Sequence, residues 1–114
     1  MSDRQWWLYV EDMIRSAERV LEYTRGLDQP AFLEDRLRYD ATIRNLEILG
    51  EAAARIPGPV RDAHPEIPWR QVVATRNVLI HGYSGIDDDV LWSIVREEVP
   101  ALLEALRGLP EEQP

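Results

Sequence analysis

Apolar residues three and four apart run through nearly the whole chain, a period that fits helices and not strands. Alternating runs rich in β-branched and aromatic residues are scarce. The first stripe is Trp6, Val10, Met13, Ile14, Ala17, Val20, Leu21 and Thr24. Glu11, Arg15, Glu18, Arg19 and Glu22 provide charge pairs on its solvent side. Ser2 or Asp3 can cap this helix, and Gly26 stops it. Trp7 falls partly off the stripe; packing is its first reading and a subunit contact its second.

Asp28 and Pro30 suit the cap and first turn of a short helix through Phe32 and Leu33. A second long helix is expected from about Glu34 to Ile56, with Leu37, Tyr39, Ile43, Leu46, Leu49, Gly50, Ala53 and Ile56 turned inward. Glycine inside a helix costs about 1 kcal/mol relative to alanine. Gly50 and the small residues Ala52, Ala53 and Ala54 therefore point to close approach of another helix. Pro57-Gly58-Pro59 ends the pattern, because prolines cannot continue the hydrogen-bond ladder.

One helical turn over Val60 to Ala63 leads into a proline-rich connection that carries His64. Pro68 opens the third major helix, whose stripe is Trp69, Val72, Val73, Leu79 and Ile80. Gly82 is its expected stop, with Tyr83-Ser84-Gly85 in a turn. Asp87-Asp88-Asp89 put negative charge at the start of the last helix, where the macrodipole favours it. Val90, Leu91, Ile94, Val95, Val99, Leu102, Leu103 and Leu106 are expected inside, Trp92 partly outside, and Pro100 at a kink. The fold expected is all-α, an antiparallel bundle of four main helices with short extra helical turns. Residues 1–108 form one domain and 109–114 a flexible polar tail.

Composition narrows the function. A net charge of −8 argues against diffuse nucleic-acid binding, which depends on many cations at phosphates, so any RNA contact must be local. All 13 basic residues are arginines, planar forks suited to phosphate, although a genomic bias explains that choice equally well. There is no cysteine, hence no disulfide, thiol nucleophile or thiolate metal site. No apolar run approaches the roughly 18 to 20 residues of a membrane span, and the N-terminus lacks the order of a secretory signal. A cytoplasmic protein is expected. Zinc spacings, EF-hand loops and glycine-rich phosphate loops are missing, so no cofactor is expected.

Arg76 sits inside the apolar stripe of the third helix. A cation there is costly unless it is paired or in use. A charged face on the second helix, Arg36, Asp40, Arg44, Glu47, Glu51 and Arg55, reads first as a solvated ladder of ion pairs. Its functional alternative is that one member, Glu51 foremost, pairs with Arg76 or supports an anionic substrate. His64 reads first as a surface or capping residue, and the aspartate triplet as a helix start rather than a metal site.

Asn77 and His81 share a helix face, whereas Arg76 and His81 lie about 140 degrees apart. A two-fold pairing of identical helices would join two such sets, which hints at a homodimer. Histidine exchanges protons near neutrality, and arginine stabilises phosphoryl charge. Together they suit metal-free RNA cleavage by a 2′-hydroxyl. A buried ion pair with a helix-capping histidine is the plain competitor.

The run Arg76-Asn77-Val78-Leu79-Ile80-His81-Gly82-Tyr83 resembles the Arg-x4-His-x-Tyr motif of HepT-like toxins in the HEPN superfamily. Leu49-Gly50-Glu51-Ala52 and Trp69 resemble that family in kind and order, and the similarity extends from the first helix to about Leu106. The resemblance implies a helical, homodimeric, metal-independent ribonuclease, the toxin of a bacterial toxin–antitoxin pair. It assigns catalysis to Arg76 and His81, and Asn77 could orient RNA or His81. It also implies an MntA-like nucleotidyltransferase partner that silences the toxin by transferring AMP to Tyr83. A bulky anion there would occupy the phosphate site. Two other classes remain open: a non-catalytic nucleotide-binding or scaffold subunit accompanying a nucleotidyltransferase, and a purely structural helical dimer.

Overall fold

The structure is a computed structural model and describes residues 5–81 and 85–110, without the side chains at positions 78, 80 and 81. Among the described residues seven α-helices follow in order: α1 (Gln5–Thr24), α2 (Gln29–Glu34), α3 (Arg36–Ala54), α4 (Gly58–Ala63), α5 (Trp69–His81), α6 (Asp88–Ser93) and α7 (Val99–Arg107). A π-helical turn, Ile94–Glu98, joins α6 to α7. No strand occurs among the described residues. The main helices are α1, α3, α5 and the α6–α7 rod, in agreement with the helical periodicity.

Local chemistry sets the helix ends. Gly26 leaves α1 in the left-handed region at φ +76°, where a side chain would be strained. The Asp28 carboxylate accepts from the Ala31 amide at 2.9 Å and caps α2. Asp35 does the same for α3 through the Arg38 amide at 3.2 Å, so the second long helix begins at Arg36 rather than Glu34. At the other end of α3, Arg61 donates to the carbonyls of Ala53, Ala54 and Ile56 and closes the helix from outside.

The core lies where α1 and α3 pack together, with α7 along α1 and α5 against α3. Val10, Met13, Ala17, Val20, Phe32, Leu46, Ala53, Val95 and Leu106 are fully enclosed. Leu109, assigned to the tail from sequence, is also buried.

Among the described residues, two expected in the core are exposed. Leu37 is 82% exposed because nine helical residues separate it from Leu46, which turns it about 180 degrees from the core. Val90 is 47% exposed; the N-terminus of α6 is held instead by polar contacts at Asp88 and Asp89. The place of Pro100 also differs from a simple kink. Its missing N–H cannot bond the Arg96 carbonyl, and the preceding turn widens so that the Val99 amide reaches back to Ile94. The charged face of α3 forms one ion pair among its described members, Arg55 to Glu51, rather than a continuous ladder.

Candidate functional site

α5 carries the motif from Arg76 to His81, and its first residue fixes its position. Trp69 is buried and its indole Nε1 donates to the His64 carbonyl at 3.0 Å, tying the helix start to the loop before it. Val72 continues the contact with the core.

The decisive contact is between α5 and α3 at Gly50. A Cβ added to Gly50 would stand 2.5 Å from the Arg76 Cβ and 3.3 Å from the Val72 carbonyl oxygen. No side chain fits there without moving a helix, which is the packing reason the sequence suggested. It also explains an arginine inside an apolar stripe. The Arg76 stem lies against Gly50, the residue is half-buried, and a long side chain can carry its charge away from the contact. Among the described residues no carboxylate lies within ion-pair distance of Arg76.

Glu51 follows Gly50 but is exposed, with its carboxylate 3.4 Å from Arg55. Asn77 is exposed. His81 is the last residue of α5, and Tyr83 lies outside the described residues, as do the expected stop at Gly82 and the turn at Ser84. By helical spacing the positions of Arg70, Ala74, Asn77 and His81 share one edge of α5. Arg70, Ala74 and Asn77 are exposed along it.

The opposite edge of α5 borders a cleft of about 400 Å³ shared with α3, the π turn and α7. Leu46, Leu49, Val72, Ile94, Val99 and Leu102 line it, and Glu66, Glu97 and Glu98 stand among its walls. The Gln71 amide bridges the cleft to the Glu98 carboxylate. The cleft is apolar inside and acidic outside, unlike the Asn77 edge.

The aspartate triplet is committed to helix contacts. The Asp87 side chain accepts from the amides of Asp89 and Val90 and caps α6. Asp88 accepts from the Tyr39 hydroxyl at 3.1 Å, and Asp89 from the Gln29 amide at 2.6 Å. The triplet thus serves three separate helix contacts. Burial first, then the hydrogen bond and charge of Asp88, raise the Tyr39 hydroxyl above the usual tyrosine value. His64 is half-buried with Nδ1 3.4 Å from Glu66. Among the described residues no three His, Asp or Glu side chains converge to hold a metal ion, and no helix is long and apolar enough to cross a membrane.

Residues 13–109, from α1 to just past α7 and including the whole motif, match the family model described as ribonuclease HepT-like. The chain belongs to the ribonuclease HepT-like family. It is 45% identical over 94 residues to a Thermococcus cleftensis protein named a probable ribonuclease HepT, covering 82% of this chain and 86% of the relative. A Methanocaldococcus jannaschii protein named as a candidate RNase is 41% identical over 102 residues, 90% of this chain and 94% of its own. No solved structure gives a significant match. In this chain the helical frame puts Arg76 against Gly50 and His81 at the end of α5.

Proposed function

We propose that the protein is an RNA endonuclease, the toxin of a toxin–antitoxin pair, that cleaves by attack of a 2′-hydroxyl on its own phosphate. Membership of a ribonuclease family, with relatives named as RNases, supports the reaction class. The observation that carries the site is Arg76: half-buried against Gly50 and, among the described residues, without a carboxylate to neutralise it. A guanidinium kept in that state is available to a phosphate.

In the proposed mechanism Arg76 binds the scissile phosphate and stabilises the negative charge that grows on it in the transition state. His81 takes the proton from the 2′-hydroxyl or gives one to the departing 5′-oxygen, and water carries out the other transfer. The products are a 2′,3′-cyclic phosphate and a 5′-hydroxyl, and the balance needs no metal. Asn77 orients the RNA or His81. Because positions 76 and 81 diverge by about 140 degrees around α5, a homodimer that apposes two copies of α5 completes the site. An MntA-like nucleotidyltransferase that attaches AMP to Tyr83 would block it by placing a phosphate beside Arg76.

The test is cleavage of tRNA and mRNA in the presence of a chelator by protein whose intact mass shows Tyr83 unmodified. His81→Ala should lower the rate by at least about 100-fold at an unchanged melting temperature. Equal cutting by both proteins would remove His81 from the mechanism. If neither cuts while both bind AMP equally, the nucleotide-binding subunit becomes the better description. Incubation of the active protein with ATP and its nucleotidyltransferase should add AMP mass to the wild type and not to Tyr83→Phe.

A further inference from the structure

A chain of net charge −8 needs a place where RNA can lie without meeting carboxylates. Among the described helices and the π turn, α5 is the one element without Asp or Glu. Its two edges are not equivalent. The edge with Gln71 and Thr75 faces the cleft walled by Glu66, Glu97 and Glu98, which would repel a phosphate backbone. The other edge carries Arg70, Ala74, Asn77 and the position of His81, with the first three exposed.

At the N-terminal end of α5, next to Arg70 and Ala74, lies a shallow open depression of about 780 Å³. Arg61, Asp62, Pro65 and Pro68 also border it. Pro65, Pro68 and Ala74 give its lining an apolar part that a base could contact. Arg61 holds its guanidinium fixed on the carbonyls at the end of α3, and Asp62 is the one carboxylate at the rim, set against two arginines. Arg70 makes no ion pair among the described residues. By helical rise, Arg70 stands about 10 Å from Asn77 and about 16 Å from His81.

We propose that single-stranded RNA runs along this outer edge of α5, with Arg70 holding the phosphate of a flanking nucleotide whose base rests in the depression. The inference rests on the nuclease reading and adds a binding subsite remote from the scissile phosphate. The span from His81 to Arg70 corresponds to a strand of roughly four or more nucleotides, the lower end of single-strand site sizes. Arg70 is a binding residue here and takes no part in the bond change.

The experiment uses the full chain carrying His81→Ala, which can hold RNA without cutting it, and fluorescein-labelled single-stranded RNAs of roughly three and twelve nucleotides. In this background Arg70→Glu should weaken the longer RNA roughly tenfold and reduce the slope of log affinity against log salt by about one. The shorter RNA should bind as before. Ala74→Glu, which puts a carboxylate in the path without removing a cation, should act in the same direction. In the active protein, Arg70→Glu should raise KM for the longer RNA and leave kcat nearly unchanged. Unchanged binding of the longer RNA in both variants would overturn the subsite while leaving cleavage by Arg76 and His81 intact. Failure of the unmodified wild type to cut any RNA would overturn the nuclease reading itself, a result that the Arg70 variants cannot produce.

Discussion

Gly50 shows how one missing side chain can set a site. An alanine in an exposed helix interior gains about 1 kcal/mol over glycine. At Gly50 the sign reverses, since the added methyl would meet the Arg76 stem and the Val72 carbonyl. Overpacking of this kind costs about 1–3 kcal/mol. Gly50→Ala should therefore lower the urea midpoint and, by pushing α5 outward, lower cleavage more steeply than stability alone explains. Gly108→Ala serves as the control, because a Cβ there makes only ordinary van der Waals contact, 3.5 Å from the Ala105 carbonyl oxygen. An unchanged midpoint in Gly50→Ala would mean that α5 gives way freely and that the seat of Arg76 is loose. The sequence made Gly50 legible as a close contact and Arg76 as a misplaced cation. It did not join them, because a helical period describes one helix and says nothing about which residue of a neighbour it meets.

The elements were legible to different degrees for the same reason. Caps made by adjacent residues, such as Asp28 on α2 and Asp87 on α6, follow from local spacing and were readable. Arg61 was not. It reaches back across Pro57 to the end of α3, a contact that only the turn geometry creates. Arg61→Ala should lower stability by about 1–2 kcal/mol in urea unfolding, and amide exchange should rise first in the last turn of α3.

The Tyr39–Asp88 hydrogen bond joins α3 to α6 and gives a pH-dependent reading of the same packing. The fold raises the tyrosine's pKa, so the folded chain holds this proton more tightly than the unfolded one. Its contribution is complete below the unfolded tyrosine value near 10 and is lost as pH rises through the higher folded value. The sequence contains no lysine. Urea unfolding between roughly pH 8 and pH 11 should show a falling midpoint. That fall should be smaller in Tyr39→Phe. An identical alkaline fall in both proteins would show that the Tyr39–Asp88 hydrogen bond does not cause it.

For the whole molecule, the proposed mechanism requires Arg76 and His81 to meet at one phosphate. α5 leans on α3 along the side that holds Arg76 and leaves the Asn77 edge uncovered. A single copy thus presents the two motif positions on different faces, and the proposed two-fold pairing supplies from one subunit what the other lacks. Mixing inactive variants tests this directly. Arg76→Ala and His81→Ala proteins, each inactive alone, are combined in equal amounts under conditions that allow subunits to exchange. If each site draws Arg76 from one subunit and His81 from the other, about half of the dimers are mixed and one of their two sites is intact. Activity should then return to about a quarter of the wild-type value. If both residues act within one subunit, no dimer contains an intact site and the mixture stays silent. Recovery would make the dimer part of the catalytic machinery, and any partner that separates the subunits would inhibit without touching Tyr83. Silence in a mixture shown by native mass spectrometry to contain mixed dimers would place the site within one chain and require His81 to swing toward Arg76 across the end of α5.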